Sequence, residues 1–194
     1  MRAESLSDEE LIRLYRRGNE RCFAVLLKRH KDKIFSYLIL LVKNRAVVED
    51  LFHDTIVKVI HALKEGNYND DGRFRSWAMR IAHNVAIDYF RKCGKMRIQR
   101  ATDDYDPLDF IPIESVDQYE VRAQEQVHER MRELVSKLPY DLREVIIMRT
   151  HANMPFHEIA WVQQVSINTA LGRMRYALVR IREMMERRQI RLVA

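Results

Sequence analysis

The sequence predicts an all-α protein of two small helical domains joined by an acidic linker. Apolar residues recur at spacings of three, four and seven, and no segment sustains the alternating pattern of a strand. Hydrophobic residues make up 47% of the chain and charged residues 32%, the balance of a folded protein. Its 194 residues suffice for one globular domain or two small ones. An acidic segment lies between two basic segments of the chain, and this pattern favours two domains.

The first domain, expected over residues 1–97, contains three apolar sets, each on one helical face. Ser7 and Glu10 have the spacing of a capping box before an additional, N-terminal helix. A Gly-rich polar segment, residues 65–72, separates the second set from the third. The three sets are Phe23, Leu27, Ile34, Leu38 and Leu41; Val48, Phe52, Ile56, Val59 and Leu63; and Phe74, Trp77, Ala78, Ile81, Val85 and Tyr89.

The linker is expected over residues 98–121. Residues 101–120 carry seven acidic side chains and no basic one, whereas residues 1–100 carry 21 basic and 13 acidic and residues 121–194 carry 13 basic and eight acidic. Pro107, Pro112 and the preceding Gly94 are typical of a break between domains. The alternative is a long surface loop within one domain, but structureless stretches of that length are uncommon in compact domains.

The second domain, expected over residues 122–194, has the pattern of a helix-turn-helix. Val127, Met131, Leu134 and Leu138 predict a helix that stops at Pro139, and further helices are expected over 142–149, 156–162 and 167–191. Ser166 is placed as the N-cap of the last and longest helix, after a tight polar turn. Gln164 lies in that turn, where Gly is common.

The last helix is predicted to turn an Arg-rich face outward. Apolar residues at spacings of four and three predict its core face, namely Ile167, Leu171, Met174, Leu178, Ile181 and Met185. Residues 166–191 hold seven Arg and two Glu, so the opposite face fits a DNA major groove. The alternative is an ordinary solvated face. The predicted DNA-binding residues are Ser166, Asn168, Thr169, Gly172, Arg173, Arg175, Tyr176 and Arg180.

A second basic and aromatic cluster covers residues 72–92, most of which are predicted to be helical. Phe74, Trp77, Ile81 and Val85 form its expected core stripe. The opposite face could lie along a nucleic-acid backbone and its unstacked bases, and the polar segment 66–72 could accept a flipped base. The residues of that opposite face are Arg80, Asn84, Asp88 and Arg91.

Several dispersed motifs, in order along the chain, resemble those of bacterial RNA polymerase sigma factors of the extracytoplasmic-function group in the sigma-70 family. The motifs are residues 50–56, 74–92, 138–146, 159–160 and 166–174. The resemblance implies a first domain like sigma region 2, which binds polymerase and melts the minus-ten element. It implies a second domain like sigma region 4, which reads the minus-thirty-five element. The minus-ten contacts it implies are Tyr68, Arg73, Arg75, Trp77, Arg80, His83, Asn84 and Arg91.

The same resemblance implies the partners of the protein. Asp50, His53 and Asp54 would bind the clamp helices of the largest polymerase subunit, and the second domain would bind the flap of the second-largest subunit. Promoter DNA and an anti-sigma factor are the other partners expected, in a stress or envelope response. The chain has His53 where the family usually has Gln, Leu171 where it usually has Lys or Arg, and Gln164 where it usually has Gly.

Other functions have less support in the sequence. Asp50 with His53, and Glu125 with His128, have the spacing of a di-iron site, but no matching carboxylates stand out on other helices. We therefore expect no catalytic residue, cofactor or metal, and the two cysteines suggest ordinary thiols. The longest apolar run, Tyr37–Val42, is too short to span a bilayer, and no signal peptide is evident, so we expect a cytoplasmic protein. A helix-turn-helix regulator with a ligand-sensing first domain is the nearest alternative.

Overall fold

The computed structural model describes residues 3–69, 72–93 and 129–188, and the regular secondary structure in these ranges is entirely helical. The prediction of an all-α fold is confirmed there. The predicted linker over 98–121 lies outside the described residues. After a 3-10 turn at Ala3–Ser5, the helices are α1 (Asp8–Arg16), α2 (Glu20–Val42), α3 (Arg45–Lys64), α4 (Phe74–Lys92), α5 (helical residues 129–136), α6 (Tyr140–Thr150), α7 (Phe156–Val162) and α8 (Ile167–Arg187).

Helices α1 to α4 form the first unit, and local sequence signals define their ends. Ser7 Oγ accepts from the Glu10 backbone N–H while a Glu10 carboxylate oxygen accepts from the Ser7 N–H, which confirms the predicted capping box. Between α2 and α3, Lys43 adopts a left-handed backbone (φ 56°). The Asn44 side chain then accepts from the Val47 N–H and starts α3. These caps satisfy helix-end N–H groups that would otherwise lack partners.

Helix α2 is the central element of the structure. It packs against α1, α3 and α4 within the first unit and against α6 of the second unit, which comprises α5 to α8. Its buried residues lie on more than one face because neighbours surround it. They are Cys22, Phe23, Leu26, Ile34, Tyr37, Leu38, Ile39 and Leu41.

The two units pack directly against each other, and their buried residues form one continuous core. Helix α4 lies against α7, and α2 lies against α6. An aromatic contact crosses the boundary, since the rings of Phe90 and Tyr140 lie edge to face with centroids 5.4 Å apart. The Lys33 ammonium also donates to the His151 carbonyl oxygen at 3.1 Å. The sequence predicts two domains and a tether, but it gives no sign of this contact.

Within the described ranges, no helix combines the length and the apolar character needed to cross a membrane.

Candidate nucleic-acid interface

The turn of the helix-turn-helix lies between α7 and α8, where the sequence predicts it. The Val165 N–H donates to the Ala160 carbonyl at 2.9 Å and the Gln164 N–H donates to the Trp161 carbonyl at 3.4 Å. This is the Schellman pattern, which requires a left-handed residue, and that residue is Gln164, with φ 55°. Gln thus adopts the conformation for which Gly is favoured.

Helix α8 begins at Ile167 because Ser166 caps it. Ser166 Oγ accepts from the Thr169 N–H at 3.0 Å, so the prediction of this N-cap is confirmed. The first turn of α8 therefore starts at a fixed point after the turn. The exposed residues of the predicted DNA-binding set are Ser166, Asn168, Thr169, Gly172, Arg175, Tyr176 and Arg180.

Arg173 differs from the other predicted DNA contacts because its guanidinium group is engaged within the second unit. It donates to Gln163 Oε1 at 2.9 Å and forms an ion pair with Asp141 Oδ2 at 2.9 Å. Arg180 pairs with Glu183 one turn further along α8 at 3.0 Å. Arg175 and Tyr176 are exposed, so they lie at the surface of α8.

The predicted core face of α8 is partly wrong. Ile167, Leu171 and Leu178 are 50%, 43% and 42% exposed. Ile181, a residue of the predicted face, is buried, but the other two buried positions are Ala170 and Ala177, which the prediction omitted. The core face is rotated because the small Ala side chains let α8 approach α6 and α7 closely, leaving the larger apolar residues at the rim.

The first unit contributes an aromatic cluster at the start of α4. The Tyr68 and Trp77 ring centroids lie 4.7 Å apart, and Phe74 packs against both rings at 6.0 and 5.8 Å. Tyr68 and Phe74 are buried, while Trp77 is half-buried. Tyr68, a predicted minus-ten contact, therefore supports the Trp77 ring here. Arg16 ties this region to α1 by donating to the Tyr68 carbonyl at 2.7 Å.

A cavity of about 460 Å³ opens beside this cluster, and both units line it. Five of the eight predicted minus-ten contacts line it, whereas Arg75 and His83 do not. Arg91 is exposed near the end of α4 and pairs with Asp88 at 3.5 Å. Residues 70 and 71 of the predicted base-accepting segment lie outside the described residues. The first-unit lining residues are Asn67, Tyr68, Asn69, Arg73, Trp77, Arg80, Ile81 and Asn84. Glu158 and Trp161 of α7 complete the lining from the second unit.

Helix α7 makes direct contacts with α4 at this cavity. The Arg80 guanidinium carbon lies 4.4 Å from the centroid of the Trp161 ring, a cation–π geometry. Glu158 accepts a hydrogen bond from Ser76 Oγ and lies 3.6 Å from the Arg75 guanidinium. Ser76 is buried because α7 packs over this part of α4, although the predicted core stripe of α4 omits it.

A buried carboxylate, Glu144 of α6, links the units a second time. His83 Nδ1 lies 2.6 Å from Glu144 Oε1, and Tyr37 of α2 donates to the same oxygen. Tyr140 donates to it at 3.1 Å, and Gln163 Nε2 donates to Oε2 at 2.8 Å. Burial opposes ionisation, but the hydrogen bonds from His83, Tyr37 and Gln163 outweigh it and lower the pKa of Glu144.

Burial also favours the neutral form of the two phenols in this cluster. It raises the pKa of Tyr37 and of Tyr140 far above that of an ordinary tyrosine, and the Glu144 charge adds to the effect. Both hydroxyl groups therefore keep their protons and act as donors to the carboxylate.

Sequence reasoning missed Glu144, Glu158 and Trp161. Glu144 offered one signal: together with Arg143 it interrupts an apolar helix, and every residue from Leu142 to Met148 is buried. A charged residue in a buried run needs polar partners, which predicts a hydrogen-bonded cluster there. For Glu158 and Trp161 there was no such signal, because the pattern of a short helix does not reveal which other helix its polar face contacts.

The predicted polymerase-binding residues share one face of α3. Asp50, His53 and Asp54 are all exposed, and Val57 continues this face at 37% exposure. The buried residues of α3 lie on the opposite side, among them Leu51 and Thr55. The predicted stripe residues Phe52 and Ile56 are half-buried at its edge.

Of the two carboxylate–histidine pairs in the di-iron alternative, Asp50 with His53 lies within the described residues. Glu125 and His128 lie outside the described residues, and Asp50 and His53 are on an exposed face. Within the described part of the chain, no group of three or more His, Cys, Asp or Glu side chains could hold a metal ion.

Comparison with known proteins identifies relatives along most of the chain. The family model described as Sigma-70 region 2 matches residues 26–98. The RNA polymerase sigma-H factor of Pseudomonas aeruginosa is 25% identical over 173 residues, covering 86% of this chain and 87% of that protein. The ECF RNA polymerase sigma-E factor of Escherichia coli is 25% identical over 175 residues, covering 88% and 90%.

Two solved structures share the fold. CnrH, solved in complex with the cytosolic domain of CnrY, superposes with a TM-score of 0.67 at 24% identity, covering 92% of this chain and 97% of that chain. The sigma factor RpoE of Bartonella quintana, solved in complex with the anti-sigma factor NepR, gives a TM-score of 0.61 at 21% identity, covering 84% and 96%.

Proposed function

The chain belongs to the extracytoplasmic-function group of the sigma-70 family, and on that premise we propose how its two units share promoter recognition and DNA opening. The second unit reads upstream duplex DNA with α8. The first unit binds core RNA polymerase through α3 and holds the opened strand beside α4. The protein acts as a dissociable specificity subunit in the cytoplasm, where core polymerase and promoter DNA are its partners, and it contributes no catalytic residue.

The observation that carries this proposal is the helix-turn-helix with its exposed basic helix. The Schellman turn and the Ser166 cap fix the angle at which α8 leaves α7. Arg175 and Tyr176 then project from the N-terminal half of α8, which is the part of a recognition helix that meets base edges. Arg175 can donate two hydrogen bonds to a guanine edge or bind phosphate.

The cavity beside α4 supports the role of the first unit. Trp77 supplies an aromatic face on which a base can stack, and Arg73 and Arg80 supply positive charge for the backbone. Asn84 is exposed at the rim, where its amide group can pair with a base edge. Single-stranded DNA is bound by this combination of aromatic faces and basic groups.

The first unit also offers a surface for polymerase. Asp50 and Asp54 lie four residues apart on α3, so their carboxylates are on the same exposed face as His53. The groups that we propose to contact DNA lie on α4. We therefore assign the exposed face of α3 to the polymerase clamp. The described parts of the two units would then be joined by the acidic segment 98–121, whose carboxylates disfavour a path along DNA.

A regulatory partner follows from the same premise. The solved relative from Bartonella quintana is bound to an anti-sigma factor. We propose that an anti-sigma factor also holds this chain inactive until a stress or envelope signal releases it.

Run-off transcription with bacterial core polymerase tests the proposal. On genomic DNA cut with a restriction enzyme, addition of this protein should produce discrete new transcripts that core polymerase alone does not make. A helix-turn-helix regulator would instead bind duplex promoter DNA as a dimer without polymerase. Dimeric binding without polymerase, together with no new transcripts, would overturn the proposal.

A further inference from the structure

Leu171 lies at the surface of α8, among the side chains that we propose to contact DNA. It is 43% exposed, and Asn168 and Arg175, one turn before it and one turn after it, are exposed as well. We propose that Leu171 determines promoter specificity by packing against the methyl group of a thymine in the major groove. The inference rests on the proposed function, because it takes α8 as the helix that reads upstream DNA.

The buried side of α8 defines the direction in which Leu171 projects. Ala170 and Ala177 are fully buried, so they mark the side that faces the core. Successive residues of an α-helix lie about 100° apart around its axis, so Leu171 projects sideways from α8 and not into the core. Asn168 and Arg175 lie on the same side, at spacings of three and four residues from Leu171. These three residues, Asn168, Leu171 and Arg175, form one reading strip along the N-terminal half of the helix.

The other side of α8 carries arginines that are held by contacts within the second unit. The guanidinium group of Arg173 donates to Gln163 and forms an ion pair with Asp141. That of Arg180 pairs with Glu183. These groups must exchange protein partners for DNA before they can read a base. We therefore assign base reading to the side of α8 that carries the reading strip.

Gly172 leaves the surface of α8 bare beside Leu171. A Cβ atom added at residue 172 would meet no atom within 4 Å, so packing among the described residues does not require a glycine there. Glycine also destabilises the interior of a helix relative to alanine. Its advantage is that a helix without a side chain at this point can approach another surface closely. Close approach to the base edges would bring the Leu171 side chain within reach of a thymine methyl group.

The reading strip combines three side-chain chemistries that distinguish bases in the major groove. Arginine donates to O6 and N7 of guanine, and asparagine pairs with N6 and N7 of adenine. Leu171 has no hydrogen-bonding group, so the thymine methyl group is the feature of the groove that it can favour. A single exposed leucine is ordinary on a protein surface. The position of Leu171 between Asn168 and Arg175 is what assigns it to DNA.

Uracil in place of thymine isolates the proposed contact, because it removes the methyl group and leaves base pairing and charge unchanged. The probe is a duplex promoter taken from the strongest run-off transcript. In each version, one A·T pair of the footprinted upstream element carries uracil instead of thymine. We expect wild-type holoenzyme to bind about three- to fivefold more weakly when the contacted methyl group is absent, which is the effect of burying one such group. Uracil at the other pairs of the element should change the affinity little.

Leu171→Ala should remove the discrimination at that one pair. Its holoenzyme should bind the thymine probe about three- to fivefold more weakly than the wild type, and it should bind the thymine and uracil probes equally. Leu178→Ala is the matched control, since Leu178 is 42% exposed on the same side of α8 but two turns further from its N-terminus. This control should keep the wild-type affinity and the wild-type discrimination.

Gly172→Ala tests the close approach separately. Alanine favours the helix, so this variant should resist urea at least as well as the wild type. Its added methyl group should nevertheless weaken binding of holoenzyme to the thymine probe. A more stable helix cannot explain weaker binding, so the two measurements distinguish a role in DNA contact from a role in folding. Binding as tight as that of the wild type would contradict the close approach at residue 172.

The results separate this inference from the proposed function. Run-off transcription from a promoter at which uracil never weakens binding would overturn the role of Leu171 and leave the proposed function intact. Discrimination that persists in Leu171→Ala, or is lost equally in Leu178→Ala, would overturn it as well. Weaker co-purification of Leu171→Ala with core polymerase in the absence of DNA would show a protein contact instead. The absence of any run-off transcript would contradict the proposed function, and this inference would fall with it.

Discussion

His83 Nδ1 lies 2.6 Å from Oε1 of Glu144, and this contact joins α4 of the first unit to α6 of the second. The carboxylate is buried and His83 is mostly so, with side-chain exposures of 1% and 13%. A charged group at such a site needs several donors, and Glu144 has them from both units. The contact therefore depends on how the two units are arranged.

Replacing Arg175 by Ala should weaken binding of holoenzyme to the upstream promoter element. A base-reading Arg contributes about 1–3 kcal/mol and acts at one base position. Arg187→Ala, in the last turn of α8, is the control and should have a smaller effect. Competition footprinting with single-base variants of the element measures both. Equal losses on all variants would show a phosphate contact instead of base reading.

Replacing Arg80 and Asn84 by Ala should impair DNA opening more than upstream binding, because both residues line the cavity beside Trp77. Permanganate reactivity of thymines in the opened strand should fall, while the upstream footprint remains. A template with a pre-formed bubble should restore much of the activity, since melting is then supplied. If the variant is as defective on the bubble as on duplex DNA, its defect is not confined to melting.

Replacing Asp50 and Asp54 by Lys should abolish co-purification with core polymerase. Both carboxylates are exposed on α3, so the change should leave the helical content measured by circular dichroism unaltered. The control changes two exposed acids elsewhere on the first unit, Glu20 and Glu65, to Lys. Undiminished co-purification of the Asp50 and Asp54 variant would remove the assignment of this face to polymerase.

Replacing Gln164 by Gly should stabilise the protein. Gln164 has φ 55°, a left-handed conformation that costs an L-residue with a Cβ atom about 1 kcal/mol. Gly adopts it without that cost, although its greater freedom in the unfolded chain offsets part of the gain. Gln164→Ala keeps the Cβ atom and should bring no such gain. Urea unfolding of the three proteins measures the difference.

The acid stability of the first unit should depend on Asp8. Its pKa is lowered by a hydrogen bond from His30, and the ion pair with Arg29 contributes, while partial burial opposes both. Because the folded pKa lies below the ordinary value of 3.8, the stabilisation is complete above that pH and disappears as the pH falls further. Asp8→Asn should therefore be less stable than wild type near neutral pH, and the two should converge in acid. A constant difference across the titration would contradict this.

Local signals in the sequence sufficed to predict the helix-turn-helix. Ser166 lies directly before the apolar repeat, and a polar turn precedes it, so both the start of α8 and the end of α7 could be predicted. The face of α8 was harder to predict. Leu171 and Leu178 fit the apolar repeat as well as Ala170 and Ala177 do, and only the close approach of α6 and α7 decides which pair is buried.

The contact between the units could not be predicted in the same way. Ser76 and His83 are polar residues on a helix whose apolar face is already assigned, so the sequence suggests that solvent surrounds them. They contact the second unit because Glu158 and Glu144, more than 60 residues away along the chain, provide acceptors for them. Hydrogen bonds between distant residues have no spacing rule that a single sequence could reveal.

The chain contains two tryptophans, Trp77 and Trp161, and both line the cavity between the units. Their indole rings belong to different units, so the surroundings of both must change if the units separate. The native protein therefore carries its own optical reporter at this cavity. Measuring the emission maximum and the intensity of its intrinsic fluorescence can therefore report the binding of polymerase or of a regulatory protein in real time, without any label.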